Sequence, residues 1–139
     1  MLYGTYHHTI DAKGRLFIPA KMRDELGEKF FVTVSWEQCL TIYSLERWSH
    51  AQEKLKEMSQ SAQMEMRAIF SKAGECDVDA QGRIQLKKDL RDHVGLKKDV
   101  TIVGTGVYVQ IWDSDTYRPI EEEEAKPLNI KNVIEKYGF

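Results

Sequence analysis

Apolar and polar residues alternate in short stretches along the chain, and these stretches fall into two similar halves. Four segments of the first half are rich in β-branched and aromatic residues, as is typical of strands: 5–10, 15–18, 30–34 and 40–43. Four segments of the second half have the same character: 75–78, 83–86, 100–103 and 107–112. The pattern therefore predicts two sets of four short strands.

Each set of strands contains one short predicted helix. Pro19 suits a first helical position, and Gly27 suits a C-terminal cap, so a helix is expected between them. In the second half the segment 87–94, followed by Gly95, has the same form without the proline.

Two longer predicted helices connect the halves. Ser44 can cap the first, and apolar residues recur at helical spacing from Trp48 through Met58. The second is expected over 62–71. Beyond the second half, we expect the acidic run 121–124 to be a solvated, poorly ordered segment, and 130–137 to form a C-terminal helix.

The two halves are copies of one module. Asp11-Ala12-Lys13-Gly14-Arg15 returns as Asp79-Ala80-Gln81-Gly82-Arg83, so the offset from Asp11 to Asp79 is 68 residues. The same offset aligns further pairs: Arg23 with Arg91, Gly27 with Gly95, and Val32-Thr33-Val34 with Val100-Thr101-Ile102. Each copy is too small to fold easily alone, so the copies are expected to complete each other's sheet.

The repeated motif predicts a tight turn. An Asp at the first position can bond its own backbone two residues on, and a Gly at the fourth tolerates positive φ. Such a turn commonly links the strands of a hairpin. The predicted turn-forming residues are Asp11, Gly14, Asp79 and Gly82. From spacing alone, the simpler interpretation is that Asp and Arg only pin a hairpin. The alternative is that Arg15 and Arg83 present two cations in related positions.

These elements predict an α+β, mostly β fold. We expect interleaved strands to form a pseudo-dimeric, barrel-like β unit with the linking helices packed outside. The expected divisions are a first module at 1–48, linking helices at 49–71, a second module at 72–118 and an acidic tail at 119–139.

Composition and charge limit the classes of protein to which the chain can belong. With 42% hydrophobic residues, the chain of 139 residues can bury a core. Cys39 and Cys76 form no CxxC pair and are expected to be buried thiols in a reducing cytosol. No signal peptide or membrane span is expected. Because the formal net charge is −2, nucleic-acid binding would require a local basic face.

Catalytic chemistry is not expected. Gly104-Thr105-Gly106 follows an apolar strand, but β-rich sequence continues beyond it, so we predict a turn and no dinucleotide site. The four histidines lack ligand spacing, so no metal or other cofactor is predicted. No nucleophile–base pair can be assembled, which argues against an enzyme with a small-molecule substrate.

The doubled motif, with Pro19-Ala20-Lys21 and the closing Ile111-Trp112-Asp113, resembles the MraZ family of bacterial transcriptional regulators. The resemblance extends from Met1 to about Tyr117 and implies two swapped-hairpin modules of the AbrB type. It also implies a closed homo-oligomeric ring that binds tandem repeats in double-stranded promoter DNA, before a division and cell-wall gene cluster. The expected location is the cytoplasm, at the nucleoid.

The resemblance also assigns site residues. Arg15 would be the leading DNA contact and Arg83 its counterpart, because arginine can bind guanine through two hydrogen bonds in the major groove. Lys13, Lys21 and Arg23 would contact phosphates, although a solvated helix face explains the last two equally well. Copy two has neutral Gln81 in place of Lys13, so the copies are not expected to have equal roles.

Two other functions are compatible with the sequence. An oligomeric scaffold would use the same β unit for subunit contacts and would bind DNA weakly, without sequence preference. An AbrB-like antitoxin would bind DNA through its modules and hold a toxin through the acidic tail.

Overall fold

The computed structural model describes residues 1–139 and contains eight strands and seven helices. The first copy comprises β1 (Leu2–Thr9), β2 (Arg15–Phe17), α1 (Ala20–Leu26), β3 (Lys29–Val34) and β4 (Leu40–Ser44). The connection comprises α2 (Leu45–Lys56), α3 (Gln60–Glu65) and α4 (Arg67–Ser71). The second copy comprises β5 (Gly74–Asp77), β6 (Arg83–Gln85), α5 (Lys88–Val94), β7 (Asp99–Gly106) and β8 (Val109–Asp113). The chain ends with α6 (Ser114–Glu124) and α7 (Pro127–Tyr137).

The strands form one large antiparallel sheet and one small ribbon. The large sheet has six strands in the order β1-β7-β8-β4-β3-β5, and β2 pairs with β6 in the ribbon. The predicted α+β class is therefore confirmed. The sheet has two free edges, β1 and β5, so it does not close on itself and the expected barrel is not confirmed. The relation to AbrB-type modules stays a prediction.

Four strand pairings join the two copies. β1 pairs with β7, β3 with β5, β4 with β8, and β2 with β6, and each of these pairs joins one copy to the other. The expectation that each turn links paired hairpin strands was therefore wrong, because β1 does not pair with β2 and β5 does not pair with β6. The ladder between β1 and β7 joins eight residue pairs, whereas β2 contains only three residues that could pair with β1.

The core draws on both copies. Leu16, Phe30 and Ile42 of the first copy are at most 1% exposed, as are Ile84 and Ile102 of the second. All five belong to one buried apolar cluster. Because this cluster lies under both the sheet and the ribbon, removing either copy would expose it.

The linking helices pack outside the sheet. Ser44 caps α2 by accepting a hydrogen bond from the Arg47 backbone N–H at 3.2 Å. The buried Trp48 anchors the helix, stacking on Phe31 of β3 with a ring separation of 4.8 Å. Phe70 of α4 contacts the same indole at 5.0 Å.

The segment 104–106 was predicted to form a turn, but it belongs to β7. Gly104 lies inside β7, opposite Gly4 of β1, and the chain reverses two residues later at Gly106 and Val107. A Cβ at Gly104 would lie 2.6 Å from the backbone Cα of Tyr3. Gly104 is therefore needed for close approach of two strands.

The acidic run is helical, contrary to expectation. Residues 121–124 form the last turn of α6, which is held to the sheet because Tyr117 packs on Trp112 at a ring separation of 5.1 Å. The predicted C-terminal helix is present as α7, which buries no residue. No helix in the chain combines the length and apolarity needed to cross a membrane.

Candidate nucleic-acid interface

The ribbon of β2 and β6 places selected side chains on one outward face. Its register pairs Arg15 with Gln85, Leu16 with Ile84, and Phe17 with Arg83. Leu16 and Ile84 are 0% and 1% exposed, so the middle pair points into the core. Because strand side chains alternate, the four flanking residues lie on the opposite face. Arg15 and Arg83 are therefore diagonal neighbours on one surface.

The first turn, residues 11–15, is organised by one carboxylate. Asp11 Oδ1 accepts hydrogen bonds from the backbone N–H groups of Lys13 (3.0 Å) and Arg15 (2.9 Å). Asp11 Oδ2 accepts from Arg15 Nε at 2.5 Å. Gly14 has φ of +81° and is buried, a conformation that a residue with a side chain rarely adopts.

The second turn, residues 79–83, repeats this geometry. Asp79 Oδ1 accepts from the backbone N–H groups of Gln81 and Arg83, each at 2.9 Å. Asp79 Oδ2 accepts from Arg83 Nε at 3.2 Å, and Gly82 also has φ of +81°. The matching bonds make the two turns a pseudo-symmetric pair.

Each arginine is oriented by its aspartate while its outer end stays free. The carboxylates occupy only Nε, and the terminal amino groups of Arg15 and Arg83 have no acceptor within the chain. The side chains are 40% and 30% exposed, respectively. A guanidinium fixed at Nε still presents two parallel N–H donors, the arrangement that binds guanine or phosphate.

The aspartates are stabilised as anions. The pKa of Asp11 is lowered, chiefly by the hydrogen bond from the Arg15 backbone N–H, and the Arg15 guanidinium contributes in the same direction. The pKa of Asp79 is lowered in the same way by the Arg83 backbone N–H. Both carboxylates are therefore ionised at neutral pH and able to orient their arginines.

Each turn is supported from behind by an arginine of the opposite copy. Arg91 Nε donates to Leu86 O at 3.1 Å and lies 2.8 Å from the position of a Cβ at Gly14. Arg23 Nε donates to Ile18 O at 3.0 Å, and its Cζ lies 3.0 Å from the position of a Cβ at Gly82. Arg23, which sequence reasoning assigned to phosphate contact, is thus a bracing residue, and its phosphate contact stays a prediction.

Further bonds join each turn to the other copy. Ile18 N donates to Gly82 O at 3.0 Å, and Leu86 N donates to Gly14 O at 2.8 Å. Gln85 adds a bond in the first turn only, since its Nε2 donates to Lys13 O at 2.9 Å. The turns are therefore parts of one rigid unit.

The turns form a local basic surface on an acidic chain. The first has Lys13, Arg15 and Arg91 around one carboxylate, and the second has two arginines around one carboxylate. Lys21 is exposed in the first turn of α1. Arg91, Phe17 and Gln85 were not predicted as parts of this surface. The repeat offset pairs Arg91 with Arg23 and Gln85 with Phe17, which is the signal that could have found them.

Comparison with known proteins places this surface in a family context. A family model described as "MraZ protein, putative antitoxin-like" matches residues 1–68 and again residues 69–132. A protein of Heliobacterium modesticaldum named transcriptional regulator MraZ is 44% identical over 139 residues, covering 98% of this chain and 96% of its own. Proteins of the same name from Thermoanaerobacter sp. and Acetivibrio thermocellus are 45% and 40% identical, covering 96% and 100% of this chain and 100% and 98% of their own. With both repeats matched and relatives this similar over nearly their whole lengths, the chain belongs to the MraZ family.

Proposed function

We propose that this protein is a sequence-specific DNA-binding transcriptional regulator. The observation that carries the proposal is the placement of Arg15 and Arg83 on one outward face, with their terminal amino groups free. A two-stranded ribbon fits the major groove, where arginine recognises guanine O6 and N7. Relatives named transcriptional regulators support the same function.

The neighbouring cations would set the position of the ribbon on the duplex. Lys13 is exposed beside Arg15, and Lys21 is exposed at the start of α1. Contacts from such residues to phosphates add affinity without sequence information. Arg23 is proposed to contact phosphate through its terminal amino groups, since only its Nε is bonded to a backbone carbonyl, and Arg91 would add positive charge behind the first turn.

Assembly would provide the affinity that one chain lacks. The formal net charge of −2 opposes association with DNA, and one ribbon offers few cations. A closed homo-oligomeric ring would place several ribbons against tandem promoter repeats, so that the first contact raises the effective concentration for the next. The repeats are proposed to precede a division and cell-wall gene cluster, and the protein is proposed to act at the nucleoid.

A duplex series tests this function. The duplexes share one base composition and carry one, two or three repeats from the DNA upstream of the protein's own gene. Affinity at fixed salt is expected to rise steeply from one repeat to two. Moving one repeat by half a helical turn, about 5 base pairs, should remove most of the gain because the second site then faces away.

Light scattering on the same samples measures the size of the assembly. Affinity that ignores repeat phasing would overturn the ring's role in recognition. Weak binding without any preference for the upstream DNA at physiological salt would overturn sequence-specific regulation, and would favour the scaffold.

A further inference from the structure

Phe17 is an exposed aromatic residue on the same face as the two arginines. It is 43% exposed although it belongs to β2, whose middle residue is buried. Its direct partner across the ribbon is Arg83. This placement gives the face an apolar ring next to a cation, a combination that suits a ligand with an apolar group beside hydrogen-bond acceptors, as in the major groove.

The other uncharged side chain on this face is already engaged. Gln85, the partner of Arg15, donates its amide to Lys13 O at 2.9 Å and so braces the first turn. Gln85 and Phe17 occupy equivalent positions in the two copies. The two ends of the ribbon are therefore chemically different: one pairs an arginine with an engaged amide, and the other pairs an arginine with an apolar ring.

The Phe17 ring is held in place before any ligand arrives. One side stacks on His8, with ring centroids 6.1 Å apart and planes 20° from parallel. Its Cε1 lies 3.1 Å from the position of a Cβ at Gly82, so the ring also covers the second turn. A ring held in this way loses little conformational freedom on binding.

We propose that Phe17 is a specificity-determining residue that contacts the methyl group of a thymine next to the base pair bound by Arg83. This inference rests on the proposed function. The thymine methyl is the apolar group that base pairs display in the major groove, and phenylalanine is among the side chains that contact it. Phe17 and Arg83 are directly opposed in the ribbon, where Cβ atoms lie about 5 Å apart, so the ring would reach the base pair next to the one that the arginine binds. Only the Arg83 end of the ribbon reads a methyl group.

Replacing single thymines with uracil tests the proposed contact with one methyl group at a time. In a duplex from the region upstream of the protein's own gene, each thymine is replaced in turn by uracil, which differs only by the missing methyl. At one thymine in each repeat, wild-type affinity is expected to fall about fourfold, the effect of removing one buried methyl-sized group. Wild-type protein that binds every uracil duplex as tightly as the original would overturn the inference.

Protein variants link the effect to Phe17. Phe17→Ser is expected to bind the thymine and uracil duplexes equally, whereas Phe17→Leu, which keeps an apolar end, should still distinguish them. Trp36→Ser is the matched control, because Trp36 is 94% exposed in the loop between β3 and β4. A Phe17→Ser protein that still discriminates against uracil at the same position would contradict the assignment.

The outcomes separate this inference from the proposed function. Specific binding of the unmodified duplex with no difference between thymine and uracil would overturn the role of Phe17 and leave the proposed function standing. Absence of specific binding to the unmodified duplex would overturn both the proposed function and this inference. A thermal melt of each variant confirms that the comparison is made on folded protein.

Discussion

Arg91, on α5 of the second copy, packs against Gly14 in the turn of the first, and a Cβ on the glycine would lie 2.8 Å from Arg91 Nε. The reciprocal relationship joins Arg23 and Gly82, where the nearest distance from such a Cβ is 3.0 Å, to Arg23 Cζ. Each turn thus depends on a side chain of the other copy, 91 − 14 = 77 positions away for the first turn and 82 − 23 = 59 positions away for the second.

Alanine at the two turn glycines should have unequal effects on stability. Both have φ of +81°, so the backbone strain is matched. At Gly14 the new Cβ would lie 2.5 Å from Leu86 O, a backbone atom, whereas at Gly82 its three nearest atoms, at 3.0–3.2 Å, belong to the side chains of Arg23 and Phe17. We expect both changes to lower the free energy of unfolding by about 1–3 kcal/mol through backbone strain, and Gly14→Ala to lower it further because its new Cβ also clashes with Leu86 O. Urea unfolding measures both, and equal losses would contradict the role of Leu86 O.

Removing the Arg15 side chain should abolish most specific binding without unfolding the protein. The side chain is 40% exposed, and the proposed guanine contact would be worth about 1–3 kcal/mol per site. Arg83→Ala should weaken binding less, since its turn has Gln81 where the first has Lys13. Lys56→Ala, on α2, is the control for losing one exposed cation. Mobility shifts against the upstream DNA provide the readout. If Arg83→Ala is the more damaging change, the second copy is the main reader.

Replacing Arg91 with methionine should loosen the first turn and weaken DNA binding through it. The change keeps apolar bulk but removes the bond from Nε to Leu86 O, at a cost of about 1 kcal/mol in the free energy of unfolding. Lys88→Met on the same helix removes an exposed cation paired only with Asp92, and serves as the control. Hydrogen exchange of the Gly14 and Arg15 amides should accelerate in Arg91→Met alone. Unchanged exchange at both amides would show that Arg91 does not stabilise the first turn.

Both cysteines should be inert in the folded protein. Burial raises the pKa of the Cys39 thiol to about 12 and that of Cys76 to about 11, and the residues are 0% and 5% exposed. The reactive thiolate is therefore scarce at pH 8 and shielded from reagents. A disulfide reagent such as DTNB should label neither thiol under native conditions and both in urea. Rapid labelling of Cys39 without denaturant would show that its surroundings open readily.

Acid should weaken the turns below the ordinary aspartate range. Because the pKa values of Asp11 and Asp79 are lowered from 3.8 in the folded protein, their contribution to stability is present above pH 3.8 and is lost as pH falls further, through the folded values. Asp11→Asn and Asp79→Asn remove these titrations, so stability should change less between pH 4 and pH 2 in the variants than in the wild type. Thermal melts across that range test it. Identical pH profiles would show that the carboxylates make no net contribution.

Local chemistry was predictable from the sequence because it depends on neighbouring residues. Asp11 and Gly14 specify a turn within five positions, and Ser44 specifies a helix start within three. Strand partners were harder to predict, because an alternating pattern shows that a strand has a buried face but not which strand lies beside it. The hairpin interpretation failed for this reason: β1 finds its longer ladder on β7. The prediction of a poorly ordered acidic segment was wrong because Tyr117 packs on Trp112 and anchors α6. The charge pattern of the segment gives no sign of this tertiary contact.

The residues of the candidate interface were predictable to a similarly unequal extent. Arg15 and Arg83 could be named because they sit within the repeated motif, whereas the bracing role of Arg91 depends on a contact with the other copy. The engagement of Gln85 by Lys13 likewise joins residues 72 positions apart. Such contacts exist only after the copies have interleaved.

The pairing of β1 with β7 has a consequence for biosynthesis. His8 lies opposite Val100, so the first strand leaves the ribosome long before its only neighbour in the sheet has been translated. At ~5–20 residues per second, roughly 90 residues take about 5–20 s, far longer than a hairpin needs to form. During that interval the first copy exposes strands that can join another unfinished chain. Chaperone protection of the nascent first half, detectable by crosslinking to ribosome-bound chains of about 90 residues, is therefore expected to end when β7 emerges.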